Sequence, residues 1–284
     1  FIDFFNEELI KSKEKKKALF LLNYSNLGLA KLIFGYEGLN NIIIEIARKL
    51  QSLPINNNHL FRHSEDSFLI YMNDYKEKEE LINLCNQIVN LFSTPIQTTN
   101  GNKFIRLKIG VVEIDATYKN VSNLIKDAEI AVSNINEKGN KKYCFFDETM
   151  AENLMLDETM EKELRKAIYN KNSKELYLEY QPQVDLKTNQ VIGVEALARW
   201  KNQELGHISP MKFIDIAEKR QLIVPLGQRI LKTACSFIKI LQNEGHSNVR
   251  VAVNISLIQL LQDDFVENVM DIIEETMIQP SSLE

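Results

Sequence analysis

Residues Glu148 to Asn172 contain neither glycine nor proline and are dense in charge, with leucine and methionine interleaved. A stretch so rich in Glu, Leu, Met and Lys predicts one long helix, because straight-chain residues lose little rotamer freedom there. It lies near the middle of 284 residues. On both sides the pattern changes to short strands alternating with helices. A chain of this length exceeds one typical domain of roughly 100–150 residues. The expectation is two separately cored units, 1–147 and 173–284, joined by a linker helix over 148–172.

The first half carries a buried-strand run at Ala18–Leu22 (ALFLL) and helical spacing at Leu39–Leu50. His59–Arg62 and Ser67–Met72 flank a polar turn at His63–Asp66, which reads as a β-hairpin. Leu81–Phe92 is an amphipathic helix, Phe104–Ile114 a strand containing a glycine, and Leu124–Ile135 a third helix. Elements in this order predict an α/β sandwich. His59 and His63 would pair on a helix, but they flank a strand, so they read as surface histidines. Tyr143–Phe146 (YCFF) reads as core packing.

In the second half, Leu176–Val184 and Gln190–Trp200 are strands. Helices follow at Met211–Lys219 and Leu226–Glu244, then a strand at Arg250–Ser256 and a helix at Asp264–Met277. Strand, helix, strand, helix is how a β/α barrel opens. The 113 residues from Asn172 to Glu284 compare with about 250 for a whole barrel, so only its first part is expected here.

Apolar and charged fractions of 44% and 26% are those of a globular protein. A net charge of -5 gives no sign of a nucleic-acid surface, and the basic run Lys11–Lys17 reads as a solvated loop or helix end. No apolar run approaches the roughly 20 residues that cross a bilayer. Three scattered cysteines, without a CxxC pair, fit reduced thiols in a cytoplasmic protein. Phe1 is not a natural start, so an upstream sensor or membrane segment stays open.

Two residues stand out in the second half. Glu195 lies in the apolar strand Val191–Trp200, and Asn254 in another, Val251–Ile255. A carboxylate taken from water needs a partner or a metal. From spacing alone the bland reading is a Glu satisfied by Arg199 or a backbone cap. The wider motif series changes that balance: YQPQVD at Tyr180–Asp185, GVEALARW at Gly193–Trp200, GHISP at Gly206–Pro210, FIDIAEKRQLIVPLGQRIL at Phe213–Leu231 and VAVNIS at Val251–Ser256. In order and spacing it resembles the EAL family of cyclic di-GMP phosphodiesterases, from about Leu176 to Glu284. The resemblance implies that Glu195 and Asn254 are ligands of Mg²⁺ or Mn²⁺, and that Gln181, Leu197 and Arg199 contact the dinucleotide. Oxygen donors suit a hard cation, and a guanidinium suits phosphate. The chemistry implied is metal-assisted hydrolysis of one phosphodiester bond to give linear diguanylate. The family's other metal ligands and its catalytic Lys fall on later strands, so no complete catalytic set is expected in these residues.

The first half resembles a GGDEF domain, over about Phe1–Asp147. FLLNYSNLGLAKLIFGYEGLNNII, at Phe20–Ile44, sits where that family has its metal-binding strand and a following Gly-His segment. By this register Asn23 replaces a metal-binding Asp, Asn26 matches a guanine-reading Asn, Leu32 replaces a guanine-contacting Asp, and Tyr36 replaces the His after a kept Gly35. The signature hairpin reads SEDSF, of which only Asp66 and Phe68 match. Ser64 and Glu65 remove the glycines that let a phosphate approach the backbone, and Ser67 removes a carboxylate. The RxxD product site would fall at Ile55 and Asn58 and is absent. This half is therefore expected to be an inactive cyclase.

Together the resemblances imply a bacterial cyclic di-GMP protein. The whole protein would hydrolyse the dinucleotide through its EAL domain, with the GGDEF-like half regulatory. The alternative is a non-enzymatic receptor for cyclic di-GMP or a protein partner. A homodimer, and GTP as an effector of the first half, stay open as further partners.

Overall fold

The computed structural model describes the chain apart from residues 1, 12–14, 26, 54–57, 99–100, 137–138 and 171. It divides into two compact units, Phe1–Asn153 and Leu154–Glu284.

In the first unit the elements run α1 (Ile2–Lys11), β1 (Lys17–Tyr24), α2 (Leu27–Gln51), β2 (Asn58–Arg62), β3 (Ser67–Asn73) and α3 (Lys78–Leu91). A short hairpin, β4 (Ile96–Thr98) and β5 (Gly101–Lys103), leads to β6 (Leu107–Ile114), α4 (Val121–Ser133) and β7 (Tyr143–Phe145). Five strands form one sheet in the order β2-β3-β1-β6-β7. β1 is antiparallel to β3 and to β6. Being central and covered on both faces, β1 is apolar without alternation. Phe20, Leu22 and Tyr24 join the core beneath α2 and α3, while Leu19 and Leu21 join the other, with α1 and α4.

Two glycines have structural causes. Gly35 adopts φ 66, ψ -172 and breaks α2 into two helical pieces, a conformation that excludes most side chains. The glycine noticed in β6, Gly110, lies under α4, where an added Cβ would sit 2.2 Å from the Ala128 carbonyl oxygen. The predicted hairpin forms, with Arg62 opposite Phe68. The predicted strand over 104–114 starts only at Leu107, and YCFF supplies an edge strand, parallel to β6, rather than core alone. Helix α1 and the helical piece before Gly35 carried no clear sequence signal.

Helix α5 (Glu148–Tyr169) follows, and the division between the units falls inside it. Its Met160, Leu164 and Ile168 are buried with Trp200 and Phe213 in the second unit. That unit continues with β8 (Leu176–Val184), β9 (Val191–Asn202), β10 (Gly206–Ile208), α6 (Pro210–Lys219), α7 (Ile223–Asn243), β11 (Arg250–Val253), α8 (Leu257–Leu260) and α9 (Phe265–Thr276). β8 and β9 are an antiparallel pair, β10 is antiparallel to the end of β9, and β11 is parallel to β9. Leu283 makes a further parallel bridge to Val251. The result is an open sheet of mixed direction, with two helices between its parallel strands and no closed barrel among the described residues. Arg229 of α7 donates to the carbonyls of Ala167, Ile168, Asn170 and Ser173 at 2.5–3.1 Å, and so caps the end of α5. Among the described residues no helix is long and apolar enough to cross a membrane.

Candidate functional site

Side chains alternate across a strand, so the sheet of the second unit has two different faces. Leu178 and Tyr180 of β8, Val194 and Ala196 of β9, and Val251 and Val253 of β11 point into the core against α7 and α9. The opposite face carries Glu179 and Gln181 of β8 and Glu195, Leu197 and Arg199 of β9. Gln181 lies directly opposite Glu195 in the register, and Glu179 opposite Leu197. Ala252 of β11 lies beside Glu195, and Asn254 follows two residues later on the same side.

This arrangement brings Glu195 and Asn254 together. Asn254 Nδ2 donates to Glu195 Oε1 at 2.7 Å. Glu195 is half-buried and Asn254 exposed. Arg199 is not the partner of Glu195. Its Nε donates to Glu179 Oε2 at 2.6 Å and its Nη1 to the Ala198 carbonyl at 3.0 Å. A cleft at this end of the sheet is lined by Leu197, Arg199, Ile214, Glu218, Asn254 and Ser256, among others. Gln181 is exposed and is not among the residues that line it.

Glu179, Glu218, Ser256 and Gln259 were not singled out from the sequence. Ser256 Oγ donates to Glu218 Oε1 at 2.7 Å. The Ser256–Gln259 spacing is that of a capping box, and both of its bonds form. That much was readable in the sequence; the approach of Glu218 across the cleft was not.

As donors, a carboxylate and a carboxamide beside each other fit a hard divalent cation. Among the described residues no group of three or more His, Cys, Asp or Glu forms a metal cluster. A pair of this kind can supply part of the coordination shell of a Mg²⁺ ion, which usually keeps several waters.

The first unit places Asn23 at the end of β1, opposite Ser67 of β3. Asn23 Nδ2 donates to Asp66 Oδ2 at 3.4 Å, and Ser64 Oγ to Asp66 Oδ1 at 2.6 Å. Ser64 and Ser67 hydroxyls lie 2.6 Å apart, and the Tyr24 N–H donates to the Asp66 carbonyl at 2.8 Å. The hairpin is thus closed upon its own polar groups. Glu65 is paired: Lys31 Nζ meets its carboxylate at 2.9 Å and lies 4.6 Å from the Tyr36 ring. Hydrogen bonding to Glu65 holds the Lys31 ammonium above its ordinary pKa. Leu32 and Tyr36 are 83% and 70% exposed, so neither builds a pocket wall. Asn26 and Ile55 lie outside the described residues. His59 packs edge-on against Phe4 and stacks on Tyr71, as a structural surface histidine.

Comparison with known proteins matches residues 1–142 to the family described as diguanylate cyclase, GGDEF domain, and residues 161–284 to the EAL domain. The chain is 28% identical over 250 residues to the bifunctional diguanylate cyclase/cyclic di-GMP phosphodiesterase MucR of Pseudomonas aeruginosa, covering 88% of this chain and 36% of that protein. It is 25% identical to the cyclic di-GMP phosphodiesterase NbdA of the same organism, covering 88% of this chain and 31% of that one. In fold it is similar to the S helix–GGDEF–EAL portion of Vibrio cholerae LapD, solved bound to c-di-GMP. There the TM-score is 0.50 at 14% identity, over 99% of this chain and 64% of that one. The chain spans about a third of the length of these curated relatives.

Proposed function

This chain belongs to the proteins that carry a GGDEF domain followed by an EAL domain, and from that premise we propose that the whole protein is a bacterial, cytoplasmic phosphodiesterase that opens cyclic di-GMP to linear diguanylate. The observation that supports this most is the 2.7 Å meeting of Glu195 with Asn254, on the sheet face that also carries Gln181, Leu197 and Arg199. Glu195 and Asn254 would hold Mg²⁺ or Mn²⁺. The cation, when bound, lowers the pKa of a water and neutralises charge at phosphorus. Arg199 offers its terminal nitrogens to a phosphate, Gln181 a carboxamide to the nucleotide edge, and Leu197 an apolar surface to a guanine.

The GGDEF half is, on this reading, a regulatory module without cyclase activity. Asn23 and Ser67 cannot replace two metal carboxylates, and the Lys31–Glu65 pair occupies the hairpin that would face a triphosphate. Incubation of the whole protein with cyclic di-GMP and Mn²⁺ tests the proposal. Linear diguanylate should accumulate, and chelation of the metal should stop it. Binding without turnover would point instead to a receptor.

A further inference from the structure

Asn254 is exposed, so its aim at Glu195 depends on how firmly its backbone is held. Three restraints converge on it. Upstream, Val253 is in register with Ala196 of β9, and its N–H donates to the Glu284 carbonyl at 2.9 Å. Downstream, Ser256 caps α8: its Oγ accepts from the Ile258 N–H at 3.2 Å, and its own N–H donates to Gln259 Oε1 at 3.2 Å. The third restraint comes from α6. Glu218 accepts the Ser256 hydroxyl proton at 2.7 Å, and both side chains are partly buried. A serine hydroxyl has one proton to give. Spending it on Glu218 turns the lone pairs toward the helix N–H groups, so the cap and the anchor are satisfied together.

The first restraint is backbone pairing that follows from the strand, and the second is a local cap in which the Ser256 and Gln259 side chains bond the backbone beside them. The third is a side-chain tether from a separate helix, and it fixes where the segment from Asn254 to Ser256 lies relative to the cleft. We propose that Glu218 is a positioning residue: through Ser256 it holds Asn254 against Glu195 and so sets the affinity of that pair for a divalent cation. This rests on the reading of Glu195 and Asn254 as metal ligands. Glu218 itself touches neither of them in the bonds described.

The test uses the whole protein as wild type, Glu218→Ala and Glu218→Gln, with Mn²⁺ binding measured by calorimetry and independently by the Mn²⁺ dependence of hydrolysis. Removing a direct outer partner of a metal ligand typically weakens metal binding about 10–100-fold; Glu218 acts one bond further out, through Ser256, so Glu218→Ala should fall at the lower edge of that range, binding Mn²⁺ about tenfold more weakly. Glu218→Gln keeps an oxygen that accepts from Ser256 and should stay within about twofold of wild type. Should Glu218→Ala not fold, Ser256→Ala against Ser256→Thr makes the same comparison, since threonine keeps the hydroxyl. Wild-type affinity in Glu218→Ala overturns the proposal. So does equal weakening in Glu218→Gln, because the charge and not the tether would then matter. A wild type that binds no Mn²⁺ marks a different failure, that of the metal-site reading, and this inference falls with it.

Discussion

Replacing Gly227 by Ala pits helix propensity against packing at the base of the site. In α7, a Cβ on Gly227 would lie 1.8 Å from Gln259 Nε2 and 2.6 Å from its carboxamide carbon. Ordinary contact is about 3.5–4.0 Å, so the carboxamide would have to swing by about 2 Å. Gln259 is only 6% exposed, and its Oε1 accepts the Ser256 N–H. Losing that bond costs about 1 kcal/mol, and overpacking adds about 1–3 kcal/mol. Against these stands a gain of about 1 kcal/mol for Ala over Gly inside a helix. The balance is a loss of about 1–3 kcal/mol, or about 3–10 °C in the melting temperature of a unit this size. The single tryptophan, Trp200, is buried in the second unit, so its fluorescence reports on this unit. A Gly227→Ala chain that melts at or above the wild-type temperature would refute the reasoning, and would mean that Gln259 moves aside freely.

Two further outcomes are expected. Incubation of the chain with GTP and Mg²⁺ or Mn²⁺ should yield no cyclic di-GMP, because Asn23 and Ser64 hold Asp66 by hydrogen bonds, and Ser67 pairs with Ser64, in place of a carboxylate-rich metal site; product above a no-enzyme control contradicts this. Arg199→Ala should leave the fold intact, since its ion pair with Glu179 is partly exposed, at 29% and 56% for the two side chains. In the whole protein it should weaken cyclic di-GMP binding by about tenfold or more, the worth of a charge-assisted bond to phosphate, and unchanged calorimetric affinity would remove Arg199 from the site.

Much of this architecture was legible because it depends on pattern. The apolar runs of β1 and β9 and the Gly- and Pro-free stretch of α5 each follow from burial or backbone freedom, which single residues report. The meeting of Glu195 and Asn254 was expected from the family resemblance, which makes both of them ligands of one metal site, but the partner of Arg199 was not. The bland reading paired Arg199 with Glu195, whereas the register sets Glu179 across from Leu197, within reach of the guanidinium. Side-chain partners between elements far apart in sequence, such as Glu218 with Ser256 or Lys31 with Glu65, depend on tertiary placement that no local spacing encodes. Helix α1 was missed because its flanking lysines read as a solvated run, although Phe4 and Phe5 pack into the core of the first unit.

The central claim is that the Glu195 carboxylate serves metal-assisted hydrolysis rather than the fold. The direct measurement is cyclic di-GMP turnover, with Mn²⁺, by the whole protein as wild type and as Glu195→Gln. The substitution keeps the shape, and a carboxamide oxygen can still accept from Asn254 Nδ2, so the melting temperature should hardly change. It removes one negative charge from the cation's shell, which the transition state feels most. The account predicts a loss of at least about a hundredfold in rate, roughly 2.7 kcal/mol of barrier, at unchanged stability. Undiminished turnover in Glu195→Gln would contradict it.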